Sequence, residues 1–305
     1  MQNPLVSIIM VSFNRKSIIE FTLNKIYEQE YYPFEIIIFD NASDDGTCEM
    51  IEKKYCEVNL IKNNKNIGIE GYNIAFKLAQ GQYFLILDDD SYPDKTTLGY
   101  GVEYLQSNQE FSVATFKIFN ICLNKSETES FKLINPHLFH GCGTIWKRNV
   151  YENIGGYDSD YFLYYNEIDH SIRCYDQNIK IKYLPEKIVF HQPIPNQKVK
   201  TTNNYHLHKK KYEQYFSGHI RFLIKHFDLK YVLVYGLKWI LNRFIIALIF
   251  NYYFSFFKSL IAIPKVIFVS RQKRKPVSKN VQKYYNYGSQ PLIDRFYFPN
   301  YSRKK

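Results

Sequence analysis

The run Tyr83-Phe84-Leu85-Ile86-Leu87 ends in three consecutive aspartates, Asp88-Asp89-Asp90, and Pro93 follows shortly after. Five apolar residues without alternation predict a strand buried on both faces, the pattern of a parallel sheet covered by helices. The proline halts further pairing. Three carboxylates at the end of a buried strand repel one another. The feature is either a solvated acidic turn or the seat of a cation. Hard oxygen ligands then point to Mg²⁺ or Mn²⁺ shared with a phosphate.

The segments before it repeat one alternation. Residues 6–11 predict a first buried strand, followed by the polar turn Ser12-Phe13-Asn14-Arg15. The helix after it carries Ile18, Phe21, Leu23 and Ile26 at helical spacing, is capped by Asn14 or Ser17, and breaks at Pro33. Residues 35–40 predict a second strand ending in Asp40, and the turn Asn41 to Gly46 opens a helix over 47–55. A short strand over 58–61, an Asn- and Gly-rich loop over 63–71, and a helix over 72–79 stopped by Gly81 complete the series. Strand–helix three times, then a fourth strand, predicts an α/β fold with a mostly parallel central sheet flanked by helices. Ligands of such sheets lie outside the carboxyl ends of the strands. That brings Ser12, Asn14, Asp40 and the three aspartates to one crevice. No GxGxxG or GxxxxGKS/T opens any of these helices, which speaks against a dinucleotide fold or a P-loop.

Downstream, a helix is predicted over 97–106, a strand over 111–119 and a polar loop over 124–130. His140 to Arg148 is an approach to a strand in which Gly141 and Gly143 read as backbone turns. Ile168, Ile172 and Tyr175 keep helical spacing, which places Glu167 in a first turn. A strand over 179–184 ends at Pro185, and a last short one runs over 188–191 to His191.

Near residue 200 the character changes, predicting two domains, 1–200 and 201–305. Residues 1–197 carry 18 Lys and Arg against 26 Asp and Glu, whereas 198–305 carry 22 against 3. A tail that basic calls for an anionic partner, a membrane surface or nucleic acid. A helix is expected over 205–227. Residues 229–269 are apolar and aromatic but interrupted by Lys230, Lys238, Arg243, Lys258 and Lys265, and the longest charge-free run is 244–257. That run is short for a span, so helices lying in the membrane interface with snorkelling lysines are expected, a transmembrane hairpin being the other arrangement. The basic cluster 271–275 suits anionic lipid, and nucleic acid is not the expected partner. His206, His208, His219 and His226 cross helix faces and are expected as solvated or interfacial side chains. Five cysteines without a CxxC pair suit a reducing compartment, and no cleaved leader is expected.

Six segments taken together resemble a known family: VSIIMVSFNR at 6–15, EIIIFDNASDDGT at 35–47, NIGIEGYN at 66–73, LILDDD at 85–90, GGYDSDYFLYYNEIDHSIR at 155–173 and VFH at 189–191. The chain to about His191 resembles the family 2 glycosyltransferases of the GT-A nucleotide-diphospho-sugar transferase fold. Within them it is similar to bacterial rhamnosyl- and galactofuranosyl-transferase-like enzymes. The resemblance implies a donor site from Ser12, Asn14, Arg15, Asp40, Asn66, Gly68, Asn73, Asp88 and Asp89. It implies a divalent metal, Mn²⁺ or Mg²⁺, on Asp90 with His191 beside it, and a general base at Glu167. The family writes the base segment as Glu-Asp, one residue, then Asp. Here it reads Asn166-Glu167-Ile168-Asp169, so Asn replaces the first acid and Glu the second.

The activity implied is inverting transfer from a nucleoside diphosphate sugar, UDP- or dTDP-linked, to a hydroxyl of a surface glycan or a polyprenyl-linked acceptor. The location implied is the cytoplasmic face of the cell membrane, held peripherally. A sugar-1-phosphate nucleotidyltransferase is the enzymatic alternative, though Ser12 to Arg15 is not its glycine-rich loop. A non-catalytic membrane-bound glycan-binding or scaffold subunit is the other. Because alternate residues share a face, Asp88 and Asp90 should point into the crevice and Asp89 away, leaving Asp89 the most tolerant of change.

Overall fold

Strand β1 (Val6–Ser12) is apolar on both faces because it is paired on both edges and covered on both sides. It runs parallel to β2 (Phe34–Asp40) on one side and to β4 (Tyr83–Ile86) on the other. The short β3 (Asn59–Lys62) extends the sheet beyond β2, also in parallel. Helices α1 (Lys16–Ile26), α2 (Thr47–Lys54) and α3 (Glu70–Leu78) make the crossovers, as the alternation predicts. This is a computed structural model, and it describes residues 3–192 and 209–286.

Beyond β4 the sheet is mixed rather than parallel. The remaining strands are β5 (Ser91–Pro93), β6 (Phe111–Asn120), β7 (Lys125–Ser126), β8 (Thr144–Lys147) and β9 (Lys180–His191). The order is β3-β2-β1-β4-β8-β6-β9-β5, with β7 paired to β6. β8 runs antiparallel to both β4 and β6, whereas β9 is parallel to β6. One face packs Ile8, Met10, Ile36, Ile38 and Leu85 against Ile19 and Leu23 of α1, and against Leu98 and Val102 of α4 (Thr97–Ser107). On the other face Phe76 of α3 stacks on Phe84 and meets Trp146 of β8. Each such fully buried side chain contributes about 1.5–3 kcal/mol, which fixes strand register.

Three local expectations change. Pro185 does not end a strand. β9 continues through it, with Leu184 opposite Phe116 and Ile188 opposite Lys117, so residues 185–187 form a bulge that absorbs the missing N–H. α1 is capped by neither Asn14 nor Ser17. The Lys16 N–H donates to Asp45 Oδ2 (3.1 Å), while Asn14, at φ 54°, accepts from the Asp44 N–H (2.9 Å). Gly81 is not a left-handed helix cap, since α3 ends into an extended Ala79. A Cβ at Gly81 would lie 2.5 Å from the Ser7 backbone nitrogen, so close packing of two chain segments explains the glycine.

The chain divides into two compact units, Met1–Lys200 and Thr201–Lys305. In the second, α7 (Lys209–His226), α8 (Leu229–Phe250) and α9 (Tyr253–Gln272) share a core of Phe216, Ile220, Trp239, Ile246, Phe256 and Val266, and α10 (Lys279–Asn286) follows. Asn251 in the left-handed conformation turns α8 into α9. Both α8 and α9 are long and apolar enough to cross a membrane. Leu233, Leu237 and Leu241 of α8, and Phe254, Phe257 and Ile261 of α9, are exposed. Contrary to expectation, His219 and His226 are buried, because each packs its ring on an aromatic neighbour, His219 on Trp239 (4.3 Å) and His226 on Phe222 (5.3 Å). His206, His208 and the expected helical residues 205–208 lie outside the described residues.

Replacing Gly81 with Ala forces the α3–β4 connection off Ser7 and should cost about 1–3 kcal/mol of stability in chemical denaturation. An unchanged midpoint and slope would show that the contact has room to yield.

Candidate active site

The aspartates sit where β4 stops. Pairing of Asp88 and Ser91 through both backbone and hydroxyl reverses the chain into β5. β5 then pairs antiparallel with β9, setting Ser91 opposite His191, and the Gln192 N–H donates to the Asp90 carbonyl (2.8 Å). This pairing brings a histidine from the far end of the unit onto the acidic turn. Ligand atoms of Asp88, Asp90 and His191 all lie within 4.8 Å of one another. Two carboxylates and an imidazole suit Mn²⁺, and Mg²⁺ through the oxygens.

Asp89, in the turn after β4, does not join that group and faces into the protein. It is buried beside the Ser12 hydroxyl and meets the guanidinium of Arg15 at 3.6 Å. Its carbonyl accepts from Thr22 of α1 (2.9 Å). The expectation of tolerance therefore lacks support, because this carboxylate ties the first loop to the turn.

Crowding governs the electrostatics. Burial, with the charge of Asp90 adding, pushes the Asp88 carboxyl up to about 6. Burial and Asp90 likewise push Asp89 up to about 8, opposed by Arg15. Burial alone would lower His191, but hydrogen bonds to Asp90 and Glu127 raise it to about 11. Burial would raise Glu127, yet the His191 hydrogen bond and charge hold it down to about 2.

Glu167 lies in the first turn of α6 (Asn166–Asp176), entered through Tyr165 at φ 79°. Burial is the largest influence on its carboxyl, and the charge of Asp88 adds to it. Backbone N–H groups of Glu167 itself and of Gly141 oppose them, and the result is about 7. A Cβ at Gly141 would stand 2.9 Å from Glu167 Oε1, so only glycine lets that N–H approach. The Asn166 amide, oriented with its nitrogen toward acceptors, donates to Glu167 Oε2 (2.9 Å) and to the Leu163 carbonyl (3.0 Å). An acid there would place a second charge against the first; Asn supplies a donor instead.

The remaining donor-site candidates lie at the carboxyl end of β2, in the loops after β1 and β3, and in α3. Asp40, 1% exposed, accepts from the Ser43 N–H (2.8 Å) and hydroxyl (2.5 Å). Ser43 also holds the Asn14 N–H (2.8 Å), so the first and second loops interlock. Asn66 accepts from the Gly68 N–H (2.9 Å). Gly68, at φ 65°, passes so close to Phe162 that a Cβ would lie 2.0 Å from its carbonyl. Asn73 spends both ends of its amide on the Tyr157 backbone (2.7 and 2.8 Å) and so clamps the segment leading to Glu167. Asn41, which accepts from the Ile67 N–H (2.9 Å) and donates to the Gly68 carbonyl (3.1 Å), escapes sequence reasoning as a site residue, as do Ser43, Glu127, His140 and Gly141. Only Gly141, in a Gly-Cys-Gly triplet, carries a local signal.

Residues 7–173 match the model of Glycosyl transferase family 2. The Escherichia coli protein named UDP-Glc:alpha-D-GlcNAc-diphosphoundecaprenol beta-1,3-glucosyltransferase WfaP is 37% identical over 109 residues, 35% of this chain and 43% of its own length. The matched part spans about half the length of such curated relatives. Among solved structures, Staphylococcus aureus TarS 1-349 in complex with UDP superposes with a TM-score of 0.56 at 17% identity, over 93% of this chain and 91% of that one. Mannosyltransferase PcManGT from Pyrobaculum calidifontis, in complex with GDP-Man and Mn²⁺, gives 0.56 at 15% identity, over 99% and 89%. These likenesses establish the GT-A fold, and the family match over more than half of its residues makes this chain a member of glycosyltransferase family 2.

Proposed function

We propose that this chain is an inverting glycosyltransferase. It would move a sugar from a UDP- or dTDP-linked donor to a hydroxyl of a surface glycan or a polyprenyl-linked oligosaccharide. The carrying observation is that Asp88, Asp90 and His191 bring their ligand atoms within 4.8 Å of one another, and that Glu167, in the first turn of α6, stands near enough to Asp88 to feel its charge. Relatives support the substrate class: one is named for UDP-Glc and a diphosphoundecaprenol acceptor, and a structural neighbour binds UDP.

Asp90 and His191, with Asp88 beside them, would hold a divalent cation, Mn²⁺ or Mg²⁺, whose positive charge would offset the negative charge developing on the departing diphosphate. Arg15, buttressed by Asp89, and the interlocked loops of Asn14, Asp40, Asn66 and Gly68 enclose the nucleotide. Glu167 accepts the proton of the acceptor hydroxyl as that oxygen bonds the anomeric carbon and the bond to the diphosphate breaks. A single displacement inverts configuration. Gly141 and Asn166 hold the two oxygens of Glu167, so the base is oriented before the acceptor arrives. A pKa near 7 leaves the carboxylate able both to take and to release a proton at neutral pH.

The second unit is proposed as the membrane anchor, on the cytoplasmic face. The apolar residues exposed on α8 and α9 need a cover, and Lys238 and Lys265 are exposed midway along those helices. Such lysines reach headgroups when the helices lie in the interface, and they face hydrocarbon when the helices cross. Arg271, Lys273, Arg274 and Lys275 add attraction for anionic lipid.

Glu167→Gln should reduce transfer about a hundred- to ten-thousand-fold with UDP affinity unchanged. The wild-type rate should rise with pH and level off above about 7, since the base acts deprotonated. Full transfer by the variant removes Glu167 from the role. In flotation with phosphatidylglycerol vesicles, joint replacement of Phe254, Phe257 and Ile261 by Ser should weaken association at least about tenfold. Equal flotation would place the anchor elsewhere.

A further inference from the structure

Glu127 belongs to none of the segments that identify the family, yet its carboxylate ends on the ring of His191. It directly follows β7, in the excursion between β6 and β8. His191 Nδ1 lies 3.3 Å from its Oε1 and 3.2 Å from its Oε2. The other ring nitrogen, Nε2, faces Asp90 Oδ1 at 3.4 Å. Glu127 is itself braced: Asn120 Nδ2 donates to Oε1 (2.6 Å), His140 Nε2 approaches Oε2 (3.5 Å), and its own N–H donates to the Ile118 carbonyl (2.9 Å). A surface ion pair has no such scaffold.

We propose that Glu127 is a positioning residue for the metal corner. Its carboxylate accepts the Nδ1–H of His191 and keeps that proton in place, so that when a cation displaces the Nε2 proton facing Asp90 the freed lone pair points into the space between Asp88 and Asp90. A neutral imidazole has one donor nitrogen and one acceptor. A carboxylate accepts only, so against Nδ1 it fixes the proton there and frees Nε2 for a cation. Without it the ring is free to flip or to take the other tautomer, which turns an N–H toward the metal. His140, the second strut, directly precedes Gly141, whose N–H holds Glu167. One short segment thus braces the metal corner and the base. The inference rests on the proposed metal site at Asp88, Asp90 and His191.

The test is Mn²⁺ affinity of the whole 305-residue chain without donor, read from the free-ion signal in electron paramagnetic resonance. Glu127→Ala should weaken binding about 10- to 100-fold, the range found for such outer partners of metal ligands. His191→Ala should weaken it at least as much. The double variant should be no weaker than His191→Ala alone, because Glu127 acts only through the ring. Glu127→Gln keeps the shape and serves if the alanine variant melts early; it should also weaken binding, as its amide nitrogen can turn a donor toward the ring. Unchanged affinity in both Glu127 variants beside a weakened His191→Ala overturns the positioning role, as does full additivity in the double variant. Unchanged affinity in Asp90→Asn and His191→Ala instead removes the metal site itself, and the proposal with it.

Discussion

Three carboxylates crowded at the end of one buried strand are the constraint that the surrounding structure answers. Two unit charges 4 Å apart repel by about 4 kcal/mol at an effective dielectric near 20, a large share of the stability of any domain. Each aspartate accordingly meets a group from a different element. Arg15, from the β1–α1 loop, stands against Asp89; His191, from the end of β9, stands against Asp90; Tyr72 of α3 offers its hydroxyl to Asp88 at 3.4 Å. The convergence of these elements on the β4 terminus is therefore electrostatic as well as topological.

The same crowding reaches the proposed base. The charge of Asp88 helps hold Glu167 up near 7, and the two belong to segments far apart in sequence. Neutralising the acidic turn would ease that field, so a cation bound at the proposed metal corner would lower the basicity of Glu167 through space. Residues 140 and 141 supply a covalent counterpart, one contacting Glu127 and the other contacting Glu167.

The first half of the sheet was legible because it is local. Buried parallel strands advertise themselves as apolar runs, and crossover helices follow within a few residues, so β1 through β4 fall out of spacing alone. The antiparallel insertion of β8 between β4 and β6 did not, since its partners lie far along the chain. Glu127 was invisible for the same reason: in sequence it is one acid in a polar loop, and its partner is 64 residues away. Pro185 misled because a bulge carries a strand past a proline that periodicity reads as a stop. Asn73 and Asp40 sit at the expected places, but their polar groups serve loop architecture as well, a use that no motif discloses.

The central proposal is a cation in the acidic turn through which the diphosphate of a nucleotide would be bound. Calorimetric titration of UDP into the protein, with Mn²⁺ and then with the metal chelated, tests it most directly. Binding that appears only with Mn²⁺, and is lost in Asp90→Asn even when Mn²⁺ is present, is the predicted result. UDP binding of equal strength with and without metal, unaffected by Asp90→Asn, would contradict it.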